Sequence, residues 1–266
     1  MPDLEHTSNK KIGASLRVYT LGTFAVERED GWINAKDWGR DTALQLFQYL
    51  LTVRHQLAVH KEQIIEGIWG EDDFKSGEQN FKVAQHGMNK ALEPDRKRRS
   101  DPKYIMRQGI TYQLALDDIW TDADAFEAYI EYGNRVVNTE TGEAVAAYRS
   151  ALQLYKGSYL PSRLYEDWSS AERERLQVLA LDTYIHLAEL LLASNPHESI
   201  RLCQQALLIE NSWEDAYRIQ MEAYRRNGNR PMVIKTFQQL RKILKEEFGV
   251  SPLPETQAVY DAIIQV

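Results

Sequence analysis

Two stretches of this sequence, ESIRLCQQAL and PMVIKTFQQL, repeat one pattern about 34 residues apart. That recurrence constrains the fold more than any other feature. Cys203 and Phe237 hold matching places, and Ala206 and Leu240 match at the same offset. In the preceding segments Tyr184 and Ala188 align with Tyr217 and Ala223 to within a residue. A helical pair of this size cannot bury its apolar stripe alone and must stack on its neighbours. The period therefore predicts tetratricopeptide-like helices forming one α-solenoid. EAVAAYRSALQLY resembles the second helix of an earlier unit, and WSSAERERLQVLALDTYIHLAELLLAS reads as one long helix.

Before residue 122 the pattern is different. LRVYTLGTFAVER alternates as two short strands, with Val18 and Tyr19 before a turn at Leu21-Gly22 and Phe24 and Val26 after it. A third strand is expected near Trp32 and Ile33. Three helices follow. The first starts at Asp41 as N-cap, with Leu44, Phe47 and Leu51 at helical spacing. The second carries Ile64, Ile65 and Ile68 and ends at Gly70. EDDFKSG reads as a loop, and residues 78–92 as the third helix. KYIMRQGITYQLAL then predicts a hairpin, with Tyr104 and Met106 on one face, a turn at Gln108-Gly109, and Tyr112 and Leu114 returning. Strands, three helices and a hairpin in this order make a winged helix-turn-helix. The expected fold class is mainly α: an N-terminal α+β winged helix-turn-helix followed by an all-α tetratricopeptide-like repeat domain. The expected division is a flexible N-terminus over 1–15, a DNA-binding domain over 16–116 and a helical domain over 117–266.

Composition narrows the function. Residues 16–116 carry 15 basic against 14 acidic side chains, whereas 117–266 carry 15 against 23. The basic excess concentrates between 77 and 107, where eight cations face four carboxylates. A cationic strip on a chain of net charge −7 predicts one anionic docking surface rather than indiscriminate binding. No apolar run approaches a membrane span, and the N-terminus lacks the apolar core of a secretory signal, so a cytoplasmic protein is expected. Cys203 is the single cysteine, has no internal disulfide partner, and reads as a buried thiol. The six histidines are scattered, none at metal-ligand spacing with Cys, Asp or Glu; no metal or cofactor is expected. No glycine-rich phosphate loop, GxSxG or Cys/His pair appears, so the chain is not expected to be an enzyme.

Helix 78–92 sets Phe81, Ala84, Met88 and Ala91 on one stripe and Lys82, Gln85, His86 and Asn89 on the other side. In a winged helix this element enters the major groove. Gln85 and Asn89 are suited to bidentate pairing with adenine, and Lys82 and His86 flank them, with Lys90 on the same helix. Arg96, Lys97, Arg98 and Arg99 follow as a phosphate clamp, and Arg107 on the wing is placed for the minor groove. Gly87, mid-helix, is out of place by propensity. It either lets the helix approach the duplex, packs against a neighbouring element, or reflects a weakened reader.

Both halves together resemble the Streptomyces antibiotic regulatory protein family, an OmpR-like winged helix joined to a bacterial transcriptional activator domain. The segments carrying this are LRVYTLGTFAVERE, VHKEQIIEGIWGED, MNKALEPD, YQLALDDIWTDADAFEAYI and, most specifically, TFQQLRKILKEEFGVSPLPETQAVYDAI. The resemblance implies an activator that binds repeated sites in double-stranded DNA and contacts RNA polymerase. A homodimer on DNA and a small-molecule or peptide ligand of the helical domain are further expected partners; a membrane is not. One departure stands out. OmpR-like reading helices carry several arginines where this chain has His86, Gly87 and Asn89. The alternative function is a helical-repeat interaction or ligand-sensing protein whose winged helix binds protein.

Overall fold

In a computed structural model of the chain, residues 14–56, 58–70, 74–97 and 99–265 are described. Strands form where side chains alternate. β1 (Leu16–Tyr19) and β2 (Ala25–Arg28) run antiparallel with Val18 opposite Val26, and β3 (Gly31–Trp32) extends β2. Leu16, Val18 and Val26 are buried, while Arg17 and Glu27 lie on the other face, as a two-residue period requires. The short helix α1 (Ala35–Trp38) was not legible in the sequence; α2 (Asp41–Thr52) follows it, with Arg40 rather than Asp41 at the N-cap. β4 (Val59–His60) leads into α3 (Lys61–Trp69), whose first turn is closed by His60 accepting from the Glu62 amide.

α4 (Phe74–Leu92) is longer than the spacing predicts: the tail of EDDFKSG is its first turn, not loop. β5 (Ile105–Gln108) and β6 (Thr111–Leu114) form the hairpin, and with β4 they make a three-stranded sheet in the order β4-β6-β5. Gln108 pairs with Thr111, so the turn is Gly109-Ile110, with Gly109 at φ +63°. Here the expected facing is corrected. Ile105 points inward and Met106 outward, because Tyr104 precedes the strand rather than belonging to it. The winged helix-turn-helix is complete with these elements.

A further strand was missed in the sequence. β7 (Ile119–Thr121) pairs parallel with β1, Leu16 opposite Ile119, and completes a sheet ordered β3-β2-β1-β7. Among the described residues seven α-helices follow, α5 (Asp122–Val136), α6 (Thr141–Leu154), α7 (Asp167–Leu191), α8 (Pro196–Ile209), α9 (Glu214–Arg226), α10 (Arg230–Ile243) and α11 (Pro254–Ile264), with a short 3-10 turn at Pro161–Arg163 and a π turn at Leu244–Phe248. The 34-residue recurrence extends to the caps. Asn195 accepts from the Glu198 amide at the start of α8, and Asn229 accepts from the Met232 amide at the start of α10. Cys203, Ala206, Phe237 and Leu240 are all buried, as their matching positions predict.

The chain divides into two compact units that do not follow its order. Among the described residues, one holds those up to 128 together with 154–176; the other holds 129–153 and 177–265. The flexible segment expected over 1–15 falls mostly outside the described residues, but Ser15 is buried and its hydroxyl accepts from Lys103 Nζ and the Tyr104 hydroxyl.

In the first unit, segment 154–176 grips α2. Arg163 makes a two-pronged bond to Asp41 at 2.9 and 2.6 Å and reaches Gln48 at 2.8 Å. Asp122, buried at the start of α5, accepts from the Thr20 and Leu21 amides and the Thr20 hydroxyl. Arg54, just past α2, has a side chain only 1% exposed. Its guanidinium meets Asp124 at 2.7 Å, Glu172 at 3.0 Å and Glu127 at 3.7 Å, and donates to the Leu51 carbonyl. Burial alone raises the Glu172 pKa, but hydrogen bonds and charge from Arg175 and Arg54 outweigh it and hold the carboxyl below its ordinary range.

Removing Arg54 strands buried carboxylates. Arg54→Met is expected to cost about 3–5 kcal/mol in urea unfolding. A depressed carboxyl adds stability above its unfolded pKa and loses it as pH falls through the folded value. Acid unfolding of the parent chain should therefore steepen below the ordinary glutamate range, and the variant should show a shallower slope there.

Candidate nucleic-acid interface

The buried side of α4 is the predicted stripe. Phe81, Ala84, Met88 and Ala91 are all at most 2% exposed, and the Phe81 ring meets Tyr112 of the wing edge-on, centroids 5.0 Å apart. Two glycines let the helix sink further. A β-carbon on Gly77 would lie 2.6 Å from Ile65 Cγ2 in α3. One on Gly87 would lie 3.0 Å from Ala43 Cβ in α2 and 3.4 Å from the Trp38 carbonyl. Of the three readings of Gly87, the geometry supports packing against a neighbouring element. The glycine faces the protein, not the outer side. At the far end, Arg28 of β2 donates to the Ala91 carbonyl at 2.6 Å, placing a cation where terminal carbonyls lack helical partners.

The outward side differs from expectation. Lys82, His86 and Lys90 are exposed and, at steps of four, form one row. Gln85 is half-buried. Asn89 is 7% exposed, and its Oδ1 has no hydrogen-bond partner among the described residues. Asn89 as a base reader is therefore corrected: it sits where the polar side curves into the core, and its amide is not presented outward. Sequence reasoning missed Ser76, Gln79 and Asn80, all exposed in the first turns of α4. Gln79 stands three and four residues from Lys82 and Val83, a spacing that signals one face once the helix start is placed correctly.

The basic loop is folded onto itself. Glu93 accepts from the Lys103 amide at 2.9 Å, closing the segment, and Arg96 Nη1 donates to the Ser100 carbonyl. Lys97 is exposed, and so is Arg99, at φ +74°. Arg98 lies outside the described residues. Arg107 is exposed but does not project from the wing tip. Its guanidinium lies 5.7 Å from the Tyr112 ring centre, and Nε donates back to the Gly109 carbonyl at 2.9 Å. The tip residue is Ile110, 56% exposed. Beside α4, Lys61 pairs with Glu78 and holds its carboxyl below the usual range.

His55 comes together with Asp124 and Glu127, one ligand atom from each lying within 4.8 Å of the others, and both acids also pair with the Arg54 guanidinium. His60, in contrast, is spent on the α3 cap. Burial pushes the Cys203 thiol up to about 12, which keeps it in the unreactive protonated form. Among the described residues no helix is long and apolar enough to cross a membrane.

Three comparisons bear on this geometry. The family model described as "Bacterial transcriptional activator domain" matches residues 121–264. The regulatory protein DnrI of Streptomyces peucetius is 32% identical over 164 residues, 58% of this chain; the match spans 57% of that protein's own length. The solved structure of Mycobacterium tuberculosis EmbR in complex with a low-affinity phosphopeptide superposes with a TM-score of 0.80 at 15% identity. That match covers 94% of this chain and 65% of that one, and it bears on the fold alone.

The close approach at Gly87 is testable by a double-mutant cycle. Alanine for glycine in an exposed helix interior gains about 1 kcal/mol. Here the added methyl meets Ala43, so Gly87→Ala should fall well short of that gain in urea unfolding. Combining it with Ala43→Gly should show a coupling of at least about 0.5 kcal/mol. Additive effects would mean that the two helices part freely.

Proposed function

The chain belongs to the bacterial transcriptional activator domain family, in the Streptomyces antibiotic regulatory protein class, and from that membership we propose that it is a sequence-specific, DNA-binding transcription regulator. One observation carries the reading: α4, seated in a winged helix, turns a row of Lys82, His86 and Lys90 outward with Gln79 on the same face, while Asn80 is exposed one position further on, around the helix from that row. Cations supply affinity by releasing counterions from phosphates, and amides at the start of a reading helix are placed for base edges. Gln79 and Asn80 take the base-reading role, with half-buried Gln85 behind them. Lys82, Lys90, Lys97 and Arg99 take phosphates. Arg107, braced on Tyr112, keeps its outer guanidinium nitrogens for the backbone beside the wing. The regulator activates transcription by binding repeated promoter sites and contacting RNA polymerase, its helical repeats supply protein contacts, and it catalyses no reaction.

The test is selection of bound genomic fragments, followed by anisotropy titrations of the full chain on the selected duplex at several salt concentrations. Log affinity should fall steeply with log salt, and Lys82→Ala and Lys90→Ala should each reduce the slope by about 1. Gln79→Ala or Asn80→Ala should cost about 1–3 kcal/mol of discrimination between selected and scrambled duplexes. Asn89→Ala should leave discrimination unchanged. No enriched sequence, or affinity indifferent to salt, would refute the reading.

A further inference from the structure

The outward face of the sheet β3-β2-β1-β7 is not the polar face that a solvated, mostly antiparallel sheet normally shows. Leu16, Val18, Val26, Ile119 and Thr121 point to the core, so alternation sets Arg17, Tyr19, Ala25, Glu27, Trp32 and Trp120 on the other side. Trp32 is 53% exposed, and Tyr19 and Trp120 are half-buried. The Tyr19 ring centre lies 5.7 Å from that of Trp32 and 5.4 Å from that of Trp120, so the three rings form one strip. The strand register adds a row across all four strands. Arg17 is opposite both Glu27 and Trp120, and Glu27 is also opposite Trp32, so the row runs Trp32, Glu27, Arg17, Trp120. Three strand spacings make it about 14 Å long. Its two charges are loosely paired at 4.0 Å, with side chains 41% and 33% exposed. All of these residues lie in the first compact unit. An exposed apolar patch of this kind, set among charges, marks an interaction surface.

We propose that this face docks a second copy of the chain, in a two-fold dimer that forms without DNA. The row reads aromatic, acid, base, aromatic, and it is complementary to itself reversed. A two-fold axis along the strands, between β1 and β2, lays β3 of one copy over β7 of the other, and β2 over β1. Trp32 then meets Trp120 of the second copy, and Glu27 meets its Arg17. Tyr19, opposite Ala25 within the chain, comes over Ala25 of the second copy, a large side chain on a small one. Symmetry repeats each contact, as an isologous interface requires. The aromatic rings supply area to desolvate, and the central charges cancel while fixing the register. A partner of another kind would have to reproduce a charge order that the chain already matches by itself. This contact is separate from α4 and from the protein contacts proposed for the helical repeats, and it does not rest on DNA recognition.

The test is sedimentation velocity of the full chain, without DNA, across a series of protein concentrations. The interface is small, so the parent chain should pass from monomer to dimer in the micromolar range. Arg17→Glu and Glu27→Arg each set like charges against one another and should weaken dimerisation at least about tenfold. An equimolar mixture of the two variants should dimerise at concentrations where each alone is monomeric, because each supplies the charge that the other lacks. Mixing cannot repair a folding defect, so recovery isolates the contact between copies. A chain carrying both changes should dimerise like the parent. A parent chain that stays monomeric throughout leaves the face to a different partner and overturns the proposal. A dimer that survives both single reversals places the contact elsewhere and overturns it equally, and so does a mixture that remains monomeric.

Discussion

A buried guanidinium organises the first compact unit. Arg54 joins the end of α2 to Asp124, Glu127 and Glu172, residues 70 to 118 positions away. A lone buried charge would be intolerable; several carboxylates around one cation make it tolerable only when every segment is in place. The same α2 carries Ala43, against which Gly87 of α4 is seated. The position of the reading helix is therefore set through α2 by segments that lie beyond the winged helix in sequence. Arg163 on Asp41 and Gln48 strengthens that hold from the same stretch. A winged helix cut at residue 116 would keep its helices but lose all of these partners.

This explains which parts of the fold were legible. The 34-residue recurrence, the three helices and the wing rest on local periodicity, and local periodicity is written in adjacent residues. β7 and the grip of 154–176 on α2 are long-range. Ile119–Thr121 is three residues long, too short for an alternation signal, and becomes a strand only because β1 has a free edge beside it. Arg54, Asp124 and Glu172 look in sequence like ordinary helix-surface charges. Nothing near any of them announces that they meet.

The candidate site was legible as a helix with one buried side, and less so in which residues that helix exposes. The apolar stripe of α4 fixed the direction of burial, but a stripe leaves the flanks of a helix undecided. Asn89 lies on such a flank and is buried. Gln79 and Asn80 lie inside the expected helix 78–92, but with EDDFKSG as a loop they fall at its fraying first turn, whereas α4 begins at Phe74 and sets them within the helix. Gly87 could not be assigned from sequence at all, because its cause is a methyl group on another helix.

A reading helix with two lysines and a histidine in its outer row neutralises few phosphates. Each neutralised phosphate contributes one step of the salt dependence, so the affinity of one copy for one site is modest in the proposed function. Modest single-site affinity becomes useful when sites repeat. A second copy held near the first by protein contact binds at an effective concentration set by geometry, and occupancy then rises steeply over a narrow range of protein concentration. On this view the arginine-poor row is matched to repeated promoter sites. In the proposed function the helical repeats would bear the specificity of assembly, while α4 would supply the register of each copy on its half of the sequence.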